Sequence, residues 1–97
     1  MPQLKSRKKS LRRDIKRRIL NRARKRAMKA AIKAALEAAR SGDEEQLQQA
    51  IAEAYRMIDR AAQKGPLHKR AAARRKARLI AAIERIRAEM AARQGES

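Results

Sequence analysis

The stretch Lys64-Gly65-Pro66-Leu67-His68-Lys69-Arg70-Ala71-Ala72-Ala73-Arg74-Arg75-Lys76-Ala77-Arg78-Leu79 decides how this chain folds. Gly65 suits the left-handed position that ends a helix, and Pro66 cannot continue one. A new helix opens close to His68, on residues that are nearly all strong helix formers. The same grammar occurs earlier at Ser41-Gly42-Asp43. Gly42 ends a helix there, and Asp43 caps the next. Glu44 and Glu45 fall in its positive first turn, and Gln46 sits three residues on, as a capping box asks.

Between these breaks the vocabulary is Ala, Arg, Lys, Leu, Glu, Gln and Ile, while Val, Phe, Thr and Trp are absent. Strand formers are therefore nearly missing. The pattern predicts three helices, about 5–40, 44–63 and 67–93, with Gly95 ending the last. Each has an apolar stripe at three- and four-residue spacing. The first runs Leu4, Leu11, Ile15, Ile19, Ala23, Ala27, Ala31, Ala34, widened by Leu20, Met28, Ile32 and Leu36. The second runs Leu47, Ile51, Ala54, Ile58, Ala61, and the third Ala72, Leu79, Ile83, Ile86, Met90, with Ile80 beside it. Short connections make consecutive helices antiparallel neighbours. The expected architecture is all-α: an antiparallel up-down-up three-helix bundle, a single domain over 1–97, with an extended basic first helix.

Composition limits the core. The 97 residues carry 28 Lys plus Arg against 10 Asp plus Glu, a net charge of +18. Of the hydrophobic residues 22 are Ala; Leu and Ile together number 15, and the only aromatic is Tyr55. So few large aliphatics at such a charge is closer to the composition of a disordered chain than of an independent globule. A polyanion is the expected partner. Residues 1–40 hold a net +14, residues 41–62 a net −3 and residues 63–97 a net +7. The basic, acid-poor start resembles a mitochondrial presequence, but the basic pattern resumes after residue 63. No h-region of a secretory signal follows the start, and no apolar run approaches the ~18–20 residues that span a bilayer.

Lengths add an expectation. At ~1.5 Å per residue the first helix reaches ~54 Å, the third ~40 Å and the second ~30 Å. The second helix cannot run back far enough to cover residues 5–18, which hold nine bases: Lys5, Arg7, Lys8, Lys9, Arg12, Arg13, Lys16, Arg17 and Arg18. Self-repulsion predicts that this segment is largely uncoiled when isolated and becomes helical on its partner.

Catalytic constellations are missing. There is no Cys and one His, so neither a thiol nucleophile nor a His- or Cys-based zinc site can be assembled, and no Gly-rich phosphate loop is present. The chain reads as a non-enzyme without metal, cofactor or small-molecule substrate. Between Asp14 and Glu37 no acid offsets the bases, so the charge is more than a solvated helix face. Phosphate neutralisation with counterion release supplies the affinity such surfaces need. Tyr55 lies in the acidic segment and reads as packing, which leaves no stacking platform for single strands. Helix one has only Asn21, and helix three only Gln94, for reading base edges. Shape and backbone recognition of folded RNA remains. Ser6 and Ser10 lie among bases, as phosphate contacts or solvated positions. In the second basic segment Lys69, Arg70, Arg74, Arg75, Lys76 and Arg78 follow the helix start, with Arg70, Arg74 and Arg78 at i, i+4, i+8. His68 reads as either a polar helix-start residue or a phosphate contact, because free N–H groups there favour an anion.

This segment resembles the bacterial small-subunit ribosomal protein twenty family, whose signature runs Lys-Gly, an apolar residue, His-Lys-Asn, then Ala-Ala-Arg and Lys-Ser-Arg-Leu. Lys64, Gly65, Leu67, His68, Lys69, Ala72, Ala73, Arg74, Lys76, Arg78 and Leu79 match it. Arg70 stands where the family has Asn, and Ala77 where it has Ser, which removes two side chains that could read RNA specifically. The likeness extends to Leu4-Lys5-Ser6, to Asn21 followed by Arg26, Met28, Lys29, Ile32 and Lys33, to the Gly42-Asp43 turn and to Ile58-Asp59. Ala27 and Ala30 replace the usual Ser and Thr. The resemblance implies a cytoplasmic, ribosome-bound structural protein with few or no protein partners and no membrane contact. It implies direct binding of 16S ribosomal RNA, in the 5′ domain and the 3′ minor domain, early in assembly. It places RNA contacts on Lys5, Ser6, Arg7, Lys8, Lys9, Arg12, Arg13, Lys16, Arg17, Asn21, Arg22, Arg24, Lys25, Lys29 and Lys33. In the second segment it places them on Lys64, His68, Lys69, Arg70, Arg74, Arg75, Lys76 and Arg78. The competing readings are a DNA-compacting histone-like protein and a membrane-active cationic helix. The Ala-heavy stripes with one Tyr argue against the latter.

Overall fold

A computed structural model describes residues 2–96, with side chains described for 7–95. Three helices follow in order: α1 (Pro2–Ser41), α2 (Glu44–Lys64) and α3 (Lys69–Glu96). No strand occurs among the described residues.

Local chemistry sets the two turns. Gly42 takes φ 80° and Gly65 φ 108°, conformations that a Cβ disfavours. Asp43 is extended at φ −83°, ψ 107°, and its side chain accepts the Gln46 amide at 3.2 Å. Ser41 closes the other side by donating its hydroxyl to the Ala38 carbonyl at 2.7 Å. After Gly65 the Leu67 amide returns to the Ala61 carbonyl at 3.2 Å, which seats Leu67 against the lower core. Leu67 and His68 thus belong to the turn, and α3 begins at Lys69, two residues later than the sequence pattern suggests. His68 is its cap: the ring Nδ1 accepts the Arg70 amide at 3.1 Å. Gly95 does not end α3, which continues to Glu96. Glycine can sit in a helix when no residue after it demands a turn.

The core is built in levels that establish the antiparallel order. Met28, Ile58, Ala61 and Ala72 form the lower cluster. Ala35, Ala38, Ala39, Leu47, Ala54, Leu79 and Ile83 form the upper one. Numbers rise along α1, fall along α2 and rise along α3, so the bundle runs up, down, up. At the top, Met90 Cε would lie 3.7 Å from a Cβ on Gly42. Ala35, Ala54 and Ala61 are fully buried, and their small side chains let the backbones approach closely. No buried polar or charged side chain appears among the described residues.

The core begins at Met28. Everything on α1 before Asn21 whose side chain is described is exposed, so the overhang is longer than the 5–18 expected. α2 ends at Lys64 and α3 begins at Lys69, both beside Met28, so nothing covers α1 further back. Helical residues advance ~100° each, so a strict four-residue repeat drifts by ~40° per step. The row Leu11, Ile15, Ile19, Ala23, Ala27, Ala31 therefore winds around α1, and only its later members face α2 and α3. Leu11, Ile15, Ile19 and Leu20 are 58%, 47%, 63% and 51% exposed. The overhang continues as helix in this structure. A helix anchored in a packed bundle extends without a new nucleation cost, and Lys, Arg and Leu favour propagation. The molecule measures 77 × 21 × 17 Å, with a radius of gyration of 19.1 Å. A compact chain of this length would have ~12–13 Å.

Candidate nucleic-acid interface

The lower cluster sets the electrostatics. It joins Met28 of α1 to Ile58 and Ala61 of α2 and to Leu67 and Ala72 at the start of α3. The Lys64–Arg78 segment therefore begins beside the point where the overhang leaves the bundle. Two basic regions far apart in sequence meet at one end of the bundle. The acidic Asp43, Glu44 and Glu45 lie at the other, with Met90.

On the overhang Arg7, Lys8, Lys9, Arg12, Arg13, Lys16 and Arg17 are exposed. The side chains of Lys5 and Ser6 lie outside the described residues. Further along, Arg22, Lys25, Lys29 and Lys33 are exposed, while Asn21 and Arg24 are half-buried against each other. Arg24 donates to the Asn21 carbonyl oxygen at 3.3 Å. The Asn21 amide is thus engaged within its own helix. Arg18 and Arg26, outside the expected contact set, line a shallow groove with Arg22 and the apolar Ile15, Ile19 and Ala23. Their i, i+4, i+8 spacing was the available signal.

On α3 the bases are sorted by direction. Ala72, Leu79 and Ile83 mark the core side. At ~100° per residue Arg70, Arg74 and Arg78 fall on the opposite side. All three are exposed, as are Lys64, His68 and Lys69, and nothing in the fold obstructs them. Arg75 is half-buried. Lys76 faces α2: its Nζ lies 2.6 Å from Asp59 Oδ1 and 5.0 Å from the centre of the Tyr55 ring, with the lysine side chain 30% exposed. A cation held by a carboxylate and an aromatic face is less available to phosphate than its neighbours. Arg87, further up, pairs with Glu44. That guanidinium, followed by the Gln48 amide at 3.2 Å, holds the Glu44 carboxyl below its ordinary pKa. The acids of α2 thus occupy the α3 cations nearest them and leave the outer row clear. With Nδ1 accepting, the neutral His68 ring carries its proton on Nε2, which leaves a donor beside the helix start.

Among the described residues no group of three or more His, Cys, Asp or Glu could hold a metal ion, and no helix is long and apolar enough to cross a membrane. The arrangement offers multiple cationic donors on rigid helices.

A search of curated proteins returned no match. The family model for ribosomal protein S20 matches residues 2–84, which takes in α1, α2 and α3 up to Glu84. Proteins of this kind are structural, non-enzymatic components of the small ribosomal subunit that bind ribosomal RNA. The matched span contains both glycine-ended turns and the convergence of basic segments that they produce, and the chain belongs to the ribosomal protein S20 family.

Proposed function

We propose that this chain is a structural constituent of the bacterial small ribosomal subunit, acting in the cytoplasm, that binds 16S ribosomal RNA directly and helps it fold during assembly. One observation carries the reading: the overhang of α1 and the outer row of α3 converge at one end of the bundle, with their cations exposed. Such a surface neutralises phosphates from more than one RNA segment. The family resemblance supports the 5′ domain and the 3′ minor domain as those segments, with few or no protein contacts. Contacts to phosphate from Arg12, Arg74 and their exposed neighbours are enough to fix the register of the RNA backbone without reading its sequence.

The test is native purification followed by sedimentation and footprinting. The protein should travel with small subunits and protect sites in both RNA domains. With about six to ten phosphate contacts, affinity should fall ~10³–10⁵-fold between 50 and 200 mM salt. Equal affinity for duplex DNA, with no defined RNA footprint, would favour a DNA-compacting role instead.

A further inference from the structure

The apolar row Leu11, Ile15 and Ile19 is not an unfinished part of the bundle seam. Met28, Ala35 and Ala39 mark the side of α1 that faces α2 and α3. At ~100° per residue, Leu11, Ile15 and Ile19 are centred about 140° away from them around the helix. Longer versions of α2 or α3 would pass on the other side and leave this row bare.

Its surroundings specify what covers it. Arg18, Arg22 and Arg26 run beside Ile15, Ile19 and Ala23 and form one groove with them. Arg12 and Lys8 lie on the same side of the helix, and the only acid before Glu37 is Asp14, on the bundle side. A neutral apolar partner would have to strip water from several guanidinium groups without compensation. Three aliphatics in single file also offer far less than the ~800 Å² per partner of a standard protein interface. A duplex of A-form RNA has the required pattern: a wide, shallow minor groove whose sugar faces lie between two rows of phosphates.

We propose that Leu11, Ile15 and Ile19 form a second RNA surface, on the face of α1 turned away from the bundle, which packs against the sugars of a duplex minor groove while Arg18, Arg22 and Arg26 hold its phosphates. The inference rests on the RNA-binding reading above and adds to it a non-ionic component that selects helical RNA over other polyanions.

The test compares the full-length protein with the double variant Ile15→Gln, Ile19→Gln and with Leu20→Gln, across a salt series. The probes are transcribed 16S ribosomal RNA and heparin, a polyanion without a groove. Gln is a better helix former than Ile, and these side chains are exposed, so all three proteins should melt alike. The double variant should bind RNA about tenfold more weakly at every salt concentration with an unchanged salt slope, because no phosphate contact is lost. Its heparin affinity should not change. Leu20→Gln removes an equally exposed aliphatic off the row and should bind RNA as the parent does. Unchanged RNA affinity in the double variant, or an equal loss in Leu20→Gln, would overturn the inference while leaving the RNA-binding reading intact. Failure of the parent to bind RNA would overturn both. Loss of binding to an acidic amphipathic peptide, with RNA affinity intact, would also overturn it and reassign the row to a protein partner.

Discussion

Ile58 and Ile19 are the same residue in opposite circumstances, and replacing each with Ala tests the fold at its centre. Ile58 is fully buried, in a cluster with Met28, Ala61 and Ala72. Two of those neighbours are alanines, which have no rotamer with which to fill a void. Met28, and Met57 and Leu67 at the cluster's edge, can swing into only part of the space. Burial of this kind places Ile58→Ala within the range of about 2–5 kcal/mol for such truncations, and about 3 kcal/mol is a reasonable centre. Total stability for a chain of this length is about 5–15 kcal/mol, so the loss is a large fraction of it. At about 4–8 °C per kcal/mol the melting temperature should fall by about 12–24 °C. Ile19 is 63% exposed, and Ile19→Ala should stay within about 0.5 kcal/mol of the parent. The measurement is thermal melting by far-ultraviolet circular dichroism in sulfate buffer, which screens the net +18. Equal melting of the two variants would show that the lower cluster does not hold the bundle together, and the assignment of the core would fail.

Arg74→Ala should flatten the salt dependence of RNA binding by about one unit, whereas Lys76→Ala should alter the slope less and lower the melting temperature, since Asp59 and Tyr55 already hold it. Arg87→Gln should destabilise the protein at neutral pH but not in acid. The folded-state pKa of Glu44 is depressed, so the contact stabilises above the ordinary carboxyl pKa and its contribution is lost as pH falls through the folded value; parent and variant melts should converge in acid. Gly65→Ala should cost about 1–2 kcal/mol from backbone strain at φ 108°, with no clash because nothing lies within 4 Å, while Gly95→Ala, inside α3, should be neutral or stabilising in the same melts.

The helix count and the turns were legible because Gly42-Asp43 and Gly65-Pro66 combine a residue that tolerates positive φ with one that caps or forbids the helix. The seams of α2 and α3 were legible because Leu47, Ala54, Ile58, Ala61 and Ala72, Leu79, Ile83 mix three- and four-residue steps, which keeps a stripe straight. The row on α1 uses four-residue steps alone. Such a row rotates as it climbs, so aliphatics that read as core lie on the outside. The basic surface was visible as charge, but not its sorting. Lys76 and Arg78 differ by two positions in sequence, yet Asp59 and Tyr55 engage one and leave the other exposed. Pairing across helices depends on rotation about α3, which no local pattern records. His68 illustrates the reverse: both sequence readings concerned a helix start, and the Nδ1 bond to Arg70 shows how one ring can serve as cap while keeping a donor outward.

At 77 Å the rod is many times the ~8 Å over which salt screens charge at physiological strength. An RNA segment bound far out on α1 leaves the field around α3 nearly unchanged, so the two contacts are electrostatically independent. On the proposed reading they are coupled mechanically, because α1 and the bundle it packs into fix their separation. Once the first segment is bound, the second meets its site at an effective concentration set by a stiff spacer rather than by diffusion.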